Sequence, residues 1–302
     1  NMCVSSPMRA GLIWLKCRSA FIASRRPIRQ SAAVVSFAAS AKRAPHLASP
    51  LIDEARAGSL VTLAPRDPEQ GVDAYAYPHN ETSTGVASPV YRVDAPGALT
   101  LVDGTSIAGA APIDLTQVDA YYFSLQKALG SDGGLWVAIL SPAAIERARR
   151  IEASPGGRWI PPFLSLSAAI DNSRKDQTLN TPAVATIIMA QRQVAWLNER
   201  GGMEAVSAHC AQASSLIYDW ANAHPALFPF VAEEAWRSPV TATIEIDEAV
   251  SASELAAHLR TLGIVDIGAY RGVGANQLRI GTWPSVEVED VEALLACIDY
   301  CL

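Results

Sequence analysis

From about Phe37 the apolar positions follow two alternating periods. Short runs rich in β-branched and aromatic residues at 72–77, Leu99–Asp103, Ala120–Ser124 and 135–140 predict strands. Ser141-Pro142 supplies an N-cap and a proline suited to the first helical position, which predicts a helix over 143–153. Thr181-Pro182 repeats the device before a long helix that Gly201-Gly202 stops near Arg200, and a further helix is expected over 203–223. Strands alternating with helices predict an α/β domain with a largely parallel sheet. After Pro225 the pattern changes. A strand at 240–246, a helix at 251–262, strands at 264–267 and 277–280 and a last helix at 286–300 predict a small α+β domain. A chain reversal between the two leaves a cleft.

Half of the 302 residues are hydrophobic and 18% are charged, enough apolar material for a sizeable core. A net charge of −6 without a basic stripe argues against nucleic acid as a partner. No apolar run reaches the roughly 18 residues of a membrane span, so no membrane is expected. Cysteines 3, 17, 210, 297 and 301 form neither CxxC pairs nor a zinc spacing, so no metal is expected and the thiols suit a reducing cytoplasm. The five histidines form no arrangement with a serine or cysteine nucleophile, and Arg271-Gly-Val-Gly-Ala275 does not follow the first strand of a βαβ unit, so it reads as a loop. The first acidic residue is Asp53, after eight Lys and Arg. That start reads as a transit-type leader or as a stretch outside the folded domain, and the second reading is preferred.

In open α/β sheets a ligand sits beyond the carboxyl ends of the strands, and three polar clusters fall there: Asn80-Glu81-Thr82, Asp103-Gly-Thr-Ser106 and Gln126-Lys127. Lys127 closes an apolar run, and Asp103 ends the neighbouring strand-like run. A lysine so placed can form a Schiff base with an aldehyde cofactor, and such a carboxylate can hold a pyridine nitrogen protonated. The pair suggests pyridoxal phosphate. Taken singly, each has a plainer explanation: Asn80 as a turn residue, Asp103 as a helix cap, Lys127 as a solvated strand end.

Longer stretches carry a resemblance. Tyr75-Ala-Tyr-Pro-His-Asn-Glu-Thr-Ser-Thr-Gly85, Leu101-Val-Asp-Gly-Thr-Ser106, Asp119-Ala-Tyr-Tyr-Phe123, Gln126-Lys127, Ser131-Asp-Gly-Gly-Leu-Trp136, Asp171-Asn-Ser-Arg-Lys-Asp-Gln-Thr-Leu-Asn-Thr-Pro182 and Asn276-Gln-Leu-Arg-Ile280 resemble the phosphoserine aminotransferase family in its actinobacterial form. The resemblance implies a fold-type I, pyridoxal 5′-phosphate-dependent class-V aminotransferase. It also implies a transfer of the amino group of L-glutamate to 3-phosphohydroxypyruvate, giving O-phospho-L-serine and 2-oxoglutarate. By the same resemblance Lys127 carries the cofactor and moves protons, Asp103 pairs with the ring nitrogen, and Thr82 bonds the phenolic oxygen. Gln126, with Asn180 and Thr181 from a second copy across a homodimer interface, holds the phosphate, and Arg279 receives the substrate α-carboxylate. Thr181 is also expected to cap the helix that follows it.

The resemblance begins at Phe37, and the family's opening segment, with its glycine-rich stretch, stacking aromatic and His-Arg pair, has no counterpart in 1–36. The expected layout is therefore an unmatched basic leader or aberrant start over 1–36, an incomplete cofactor-binding domain over 37–225 and a small C-terminal domain over 226–302. A truncated, weakly active or inactive remnant that only dimerises or binds is the alternative. A cysteine desulfurase is disfavoured, because no cysteine sits in a suitable loop.

Overall fold

The computed structural model describes residues 11–15, 51, 53–67, 72–156, 159–270 and 276–302. The strands are β1 (Gly11–Leu15), β2 (Ala74–Pro78), β3 (Asn80–Glu81), β4 (Val86–Ala87), β5 (Leu99–Asp103), β6 (Ala120–Ser124), β7 (Trp136–Leu140), β8 (Leu227–Pro229), β9 (Thr241–Ile246) and β10 (Gln277–Gly281). The helices are α1 (Pro142–Ala153), α2 (Leu166–Ser173), α3 (Val184–Glu199), α4 (Gly202–Ala223), α5 (Ala252–Thr261) and α6 (Val288–Cys301).

The larger sheet runs β1-β7-β6-β5-β2. Its β2, β5 and β6 are parallel, so their carboxyl ends share one edge; the register sets Pro78 against Asp103 and Asp103 against Tyr122. β7 is antiparallel to β6, and β1 is antiparallel to β7. Thus five residues from the stretch expected outside the folded domain form an outer strand. Alternation gives the sheet two apolar faces. One packs Ala120, Ala138 and Leu140 on α1 and α2. The other packs Ile107, Leu125, Leu129 and Val137 on Ala190 and Leu197 of α3 and Val206 and Cys210 of α4.

Ser141 caps α1 by accepting from the Ala144 amide at 3.1 Å, with Pro142 at the first turn as expected. Between α3 and α4, Gly201 sits at φ +102, a left-handed conformation that stops one helix and lets the next begin. The first half of α4 belongs to the large core, whereas Ala213, Ile217 and Ala221 enter the second core with Ile244, Leu259, Leu278 and Ile298. That second core lies over the antiparallel sheet β10-β9-β8, so one helix ties both cores together.

Two expectations need correction, and two elements were not foreseen. Thr181 does not cap α3: Ala183 stands at that position with no side-chain cap bond, Thr181 is exposed, and the Thr178 hydroxyl closes a local bond onto the Asn180 carbonyl. No strand forms over 264–267, because Asp266 turns to φ +62; the segment keeps one bridge, Gly268 to Leu278, and one bond from the Arg279 amide to the Ile267 carbonyl. α2, capped by Ser165, and the short hairpin β3–β4 were not foreseen, the first being eight residues within a proline-rich stretch. The loop at 271–275 and the remainder of 1–36 lie outside the described residues.

Candidate active site

β6 leads from the core to Lys127, three residues beyond its last member, where the chain reverses. The Gly130 amide bonds the Lys127 carbonyl at 2.8 Å and the Ser131 amide bonds the Leu125 carbonyl at 2.9 Å. The Ser131 hydroxyl donates to the Thr186 carbonyl on α3 at 2.7 Å, which fixes this turn to the helix. The sequence Ser131-Asp-Gly-Gly134 therefore braces the lysine from behind. Lys127 is half-buried, and its ammonium nitrogen lies 5.3 Å from the centre of the Trp283 ring. Burial, and then the like charge of Arg279, pull its pKa below the usual lysine range. A larger neutral fraction makes a better nucleophile toward an aldehyde.

Arg279 comes from β10 of the small domain and stacks over Tyr270 at 4.9 Å. Its Nη1 makes one long bond, 3.4 Å, to the Thr82 carbonyl; its Nε is buried without a partner, and among the described residues no carboxylate forms a salt bridge with it, although Asp266 acts on it electrostatically. The guanidinium thus keeps donors for a ligand anion. Thr82 lies in the turn of the β3–β4 hairpin, which rests on the small domain. There Gly85 stands at φ +76, a Cβ in its place would come 2.8 Å from the Thr241 carbonyl, and its own carbonyl accepts from the Ser238 amide at 2.9 Å.

Beneath the hairpin, hydrogen bonds tie large-domain segments together, and one of them, from Trp283, reaches across from the small domain. Asn80 donates to the Ser106 hydroxyl at 2.8 Å, that hydroxyl donates to the Asn80 carbonyl at 3.1 Å, and the Trp283 indole donates to the Ser106 carbonyl at 2.9 Å. The His79 amide bonds the Asp103 carbonyl, and its ring nitrogen meets the Tyr121 hydroxyl at 3.1 Å. Burial lowers the His79 pKa to about 4, so this imidazole is neutral at pH 7. Asp103, half-buried, accepts from the Thr105 amide at 2.8 Å; burial and then its charge push the Tyr122 hydroxyl well above the usual range.

Lys127, Arg279 and Thr82 therefore converge, and Asp103 ends the strand beside them with no ion pair to Lys127. Asp103 shares the sheet face of Tyr122, whereas the Lys127 amine reaches Trp283, which packs on the opposite core. A cavity of about 490 Å³ opens on the Tyr122 face, with Thr105, Ser124, Gln126, Ala120, Ala138 and Leu166 among its lining residues. The immediate chain neighbour of Lys127 thus lines it, as does Thr105, two residues past Asp103. Asn180 and Thr181 are exposed and do not line it. Trp283 and Tyr270 escaped the sequence reading, since neither stands at a spacing that marks it and both gain meaning only through the cations above them. Among the described residues no group of three His, Cys, Asp or Glu is arranged for a metal, and no helix is long and apolar enough to cross a membrane.

A sheet whose carboxyl edge carries a recessed lysine and a carboxylate on adjacent parallel strands, faced by an arginine from a small α+β domain, is the architecture of fold-type I transferases. Residues 66–269 match the model of the class-V aminotransferases. The chain belongs to that family, whose enzymes use pyridoxal phosphate. It is 48% identical over 266 residues to a putative phosphoserine aminotransferase of Mycolicibacterium vanbaalenii, covering 87% of this chain and 70% of that protein. The crystal structure of a phosphoserine aminotransferase from Cytophaga hutchinsonii superposes with a TM-score of 0.70 at 23% identity, over 76% of this chain. The match spans 63% of that structure's own length. A pyridoxal phosphate-bound phosphoserine aminotransferase from Trichomonas vaginalis gives a TM-score of 0.61 at 20% identity, over 74% of this chain and 59% of its own.

The residue types suit this cofactor, but as they stand the Lys127 amine and the Asp103 side chain lie on opposite faces of the sheet, so one of them would have to turn for both to address a single ring. The amine is half-buried with its pKa drawn below the usual lysine range, a carboxylate stands at the end of the adjacent strand, and the guanidinium Nε has no partner. Among the residues lining the cavity, Thr105, Ser124 and Gln126 carry neutral donors of the kind a phosphate would need.

Proposed function

We propose that this chain is a pyridoxal 5′-phosphate-dependent transaminase acting on L-glutamate and 3-phosphohydroxypyruvate, which places it in serine biosynthesis and, through the same reaction type, pyridoxine biosynthesis. The observation that carries the reading is the half-buried Lys127 amine, with its lowered pKa, at the carboxyl edge of the sheet beside Arg279. When bound, the cofactor supplies a ring that accepts electrons from the substrate α-carbon. Lys127 would hold it covalently and would carry the proton at that carbon. Asp103 would pair with the ring nitrogen and keep it protonated. Thr82 donates to the phenolic oxygen. Arg279 receives the α-carboxylate on its planar fork, and the tyrosine beneath it keeps that fork in one orientation.

Gln126 holds the phosphate, together with Asn180 and Thr181 of a second copy. The exposure of those two residues supports a homodimer, as does the apolar surface beside them, where Val184 and Ile188 on α3 and Trp159 and Leu164 before α2 face outward. The free thiols Cys210, Cys297 and Cys301 suit a cytoplasmic protein. The large cofactor-binding part over 37–225 and the small domain over 226–302 supply the two walls of the site.

Incubation with pyridoxal 5′-phosphate, borohydride reduction and peptide mapping test this directly. The adduct is expected on Lys127 and absent from Lys127→Ala. A folded chain that takes up no adduct, or takes it up on Lys175 alone, overturns the reading.

A further inference from the structure

We propose that Trp283 is a positioning residue for the Lys127 amine, holding the charged amine on the face of its indole. The inference rests on the transaminase reading and adds a residue to it. Three observations carry it. The Lys127 nitrogen lies 5.3 Å from the ring centre, within reach of the attraction between a cation and an aromatic face. The indole nitrogen donates to the Ser106 carbonyl at 2.9 Å, so the ring is anchored to the large domain although its backbone belongs to the small one. The ring also lies directly on Gly281, where a Cβ would come 2.4 Å from its Cζ3, so its tilt is fixed from below.

The electrostatics give this contact work to do. Burial and Arg279, the charged side chain felt at Lys127, both disfavour the protonated amine. Among the described residues no carboxylate forms a salt bridge with Lys127 to offset them. The indole face is a group that favours the protonated form, and it fixes where the amine rests. An amine that must alternate between carrying a cofactor and carrying a proton thereby gains a defined resting place outside the cavity. Because the anchor joins both domains, a change in their spacing would alter the Lys127 pKa.

The test reads protonation rather than turnover. The pH dependence of reductive methylation of Lys127, without added cofactor, is followed by peptide mass spectrometry, with exposed Lys175 as the internal control. In Trp283→Leu, which keeps an apolar wall but removes the π face, the Lys127 midpoint should fall by roughly half a unit or more, the size of a partly desolvated cation–π contact. In Trp283→Phe, which keeps a ring and loses the indole N–H, the fall should be smaller. Lys175 should not move in either. An unchanged Lys127 midpoint in Trp283→Leu overturns the proposal, as does an equal shift at Lys175. Borohydride trapping on the unmutated chain reports separately on the transaminase reading, so a failure of one is distinguishable from a failure of the other.

Discussion

Lowering the pH from 7.5 to 5 should cost this protein about 2 kcal/mol through His79 alone. The imidazole is 7% exposed, carries no carboxylate partner and spends its ring nitrogen on the Tyr121 hydroxyl, and burial takes its pKa from 6.5 to about 4. In the unfolded chain it returns to the ordinary value. Between pH 6.5 and 4 the unfolded state therefore binds a proton that the folded state refuses, and stability falls as the pH falls through that window. At pH 5, 1.5 units below the unfolded value, the loss is 1.5 times about 1.4 kcal/mol, or roughly 2 kcal/mol, and it approaches about 3 kcal/mol near pH 4. Urea denaturation followed by tryptophan fluorescence, at half-unit steps from pH 4 to 8, measures it against His79→Gln, which cannot titrate but still reaches Tyr121. The variant should be the less stable protein at pH 7.5, through lost packing, and should recover about 2 kcal/mol relative to the parent by pH 5. Parallel stability curves for the two proteins would mean that His79 accepts its proton in the folded state, and the burial argument would fail. The residue also bears on the site, because Tyr121 lies against Gly104, the residue after Asp103, so closely that a Cβ there would sit 2.1 Å from the ring.

Three further outcomes follow from particular contacts. Asp119→Ala removes a carboxylate that accepts from Arg92 at 2.7 Å, the Thr100 amide at 2.9 Å and the Ser141 hydroxyl at 2.8 Å, and should cost roughly 3 kcal/mol in denaturant unfolding, with no change of midpoint refuting the assignment. Gly85→Ala forces a Cβ into a left-handed position and toward the Thr241 carbonyl, and should cost about 1–3 kcal/mol in the same assay. Ile188→Arg places a charge in the exposed stripe of α3, and sedimentation should show monomer where the parent chain forms the proposed homodimer; an unaffected dimer would put the interface elsewhere.

Much of the large domain was legible because its signals are local. Leu99–Asp103 and Ala120–Ser124 form as expected, since period-two patterning and flanking turn residues suffice to define them, and parallel strands necessarily deliver Asp103 and the approach to Lys127 to one edge. Ser141-Pro142 was legible for the same reason: the cap and the helix it starts are three residues apart. Thr181-Pro182 carries the same local signal, but its cap fails: the Thr178 hydroxyl donates to the Asn180 carbonyl, and the helix begins at Val184 after Ala183, with no side-chain cap. What local patterning cannot express is the closure of the site. Arg279 meets Thr82 across 197 residues and Trp283 meets Ser106 across 177, and either side chain read alone is a small-domain residue without a task. Their meaning depends on how closely the β3–β4 hairpin seats on β9, and that distance is set by the missing side chain of Gly85. Those contacts are few, while the two cores are joined mainly by α4. A substitution at the hairpin seat should therefore move Arg279 and Trp283 relative to Lys127 well before it unfolds either core, which makes this seat the part of the fold where stability and site geometry separate.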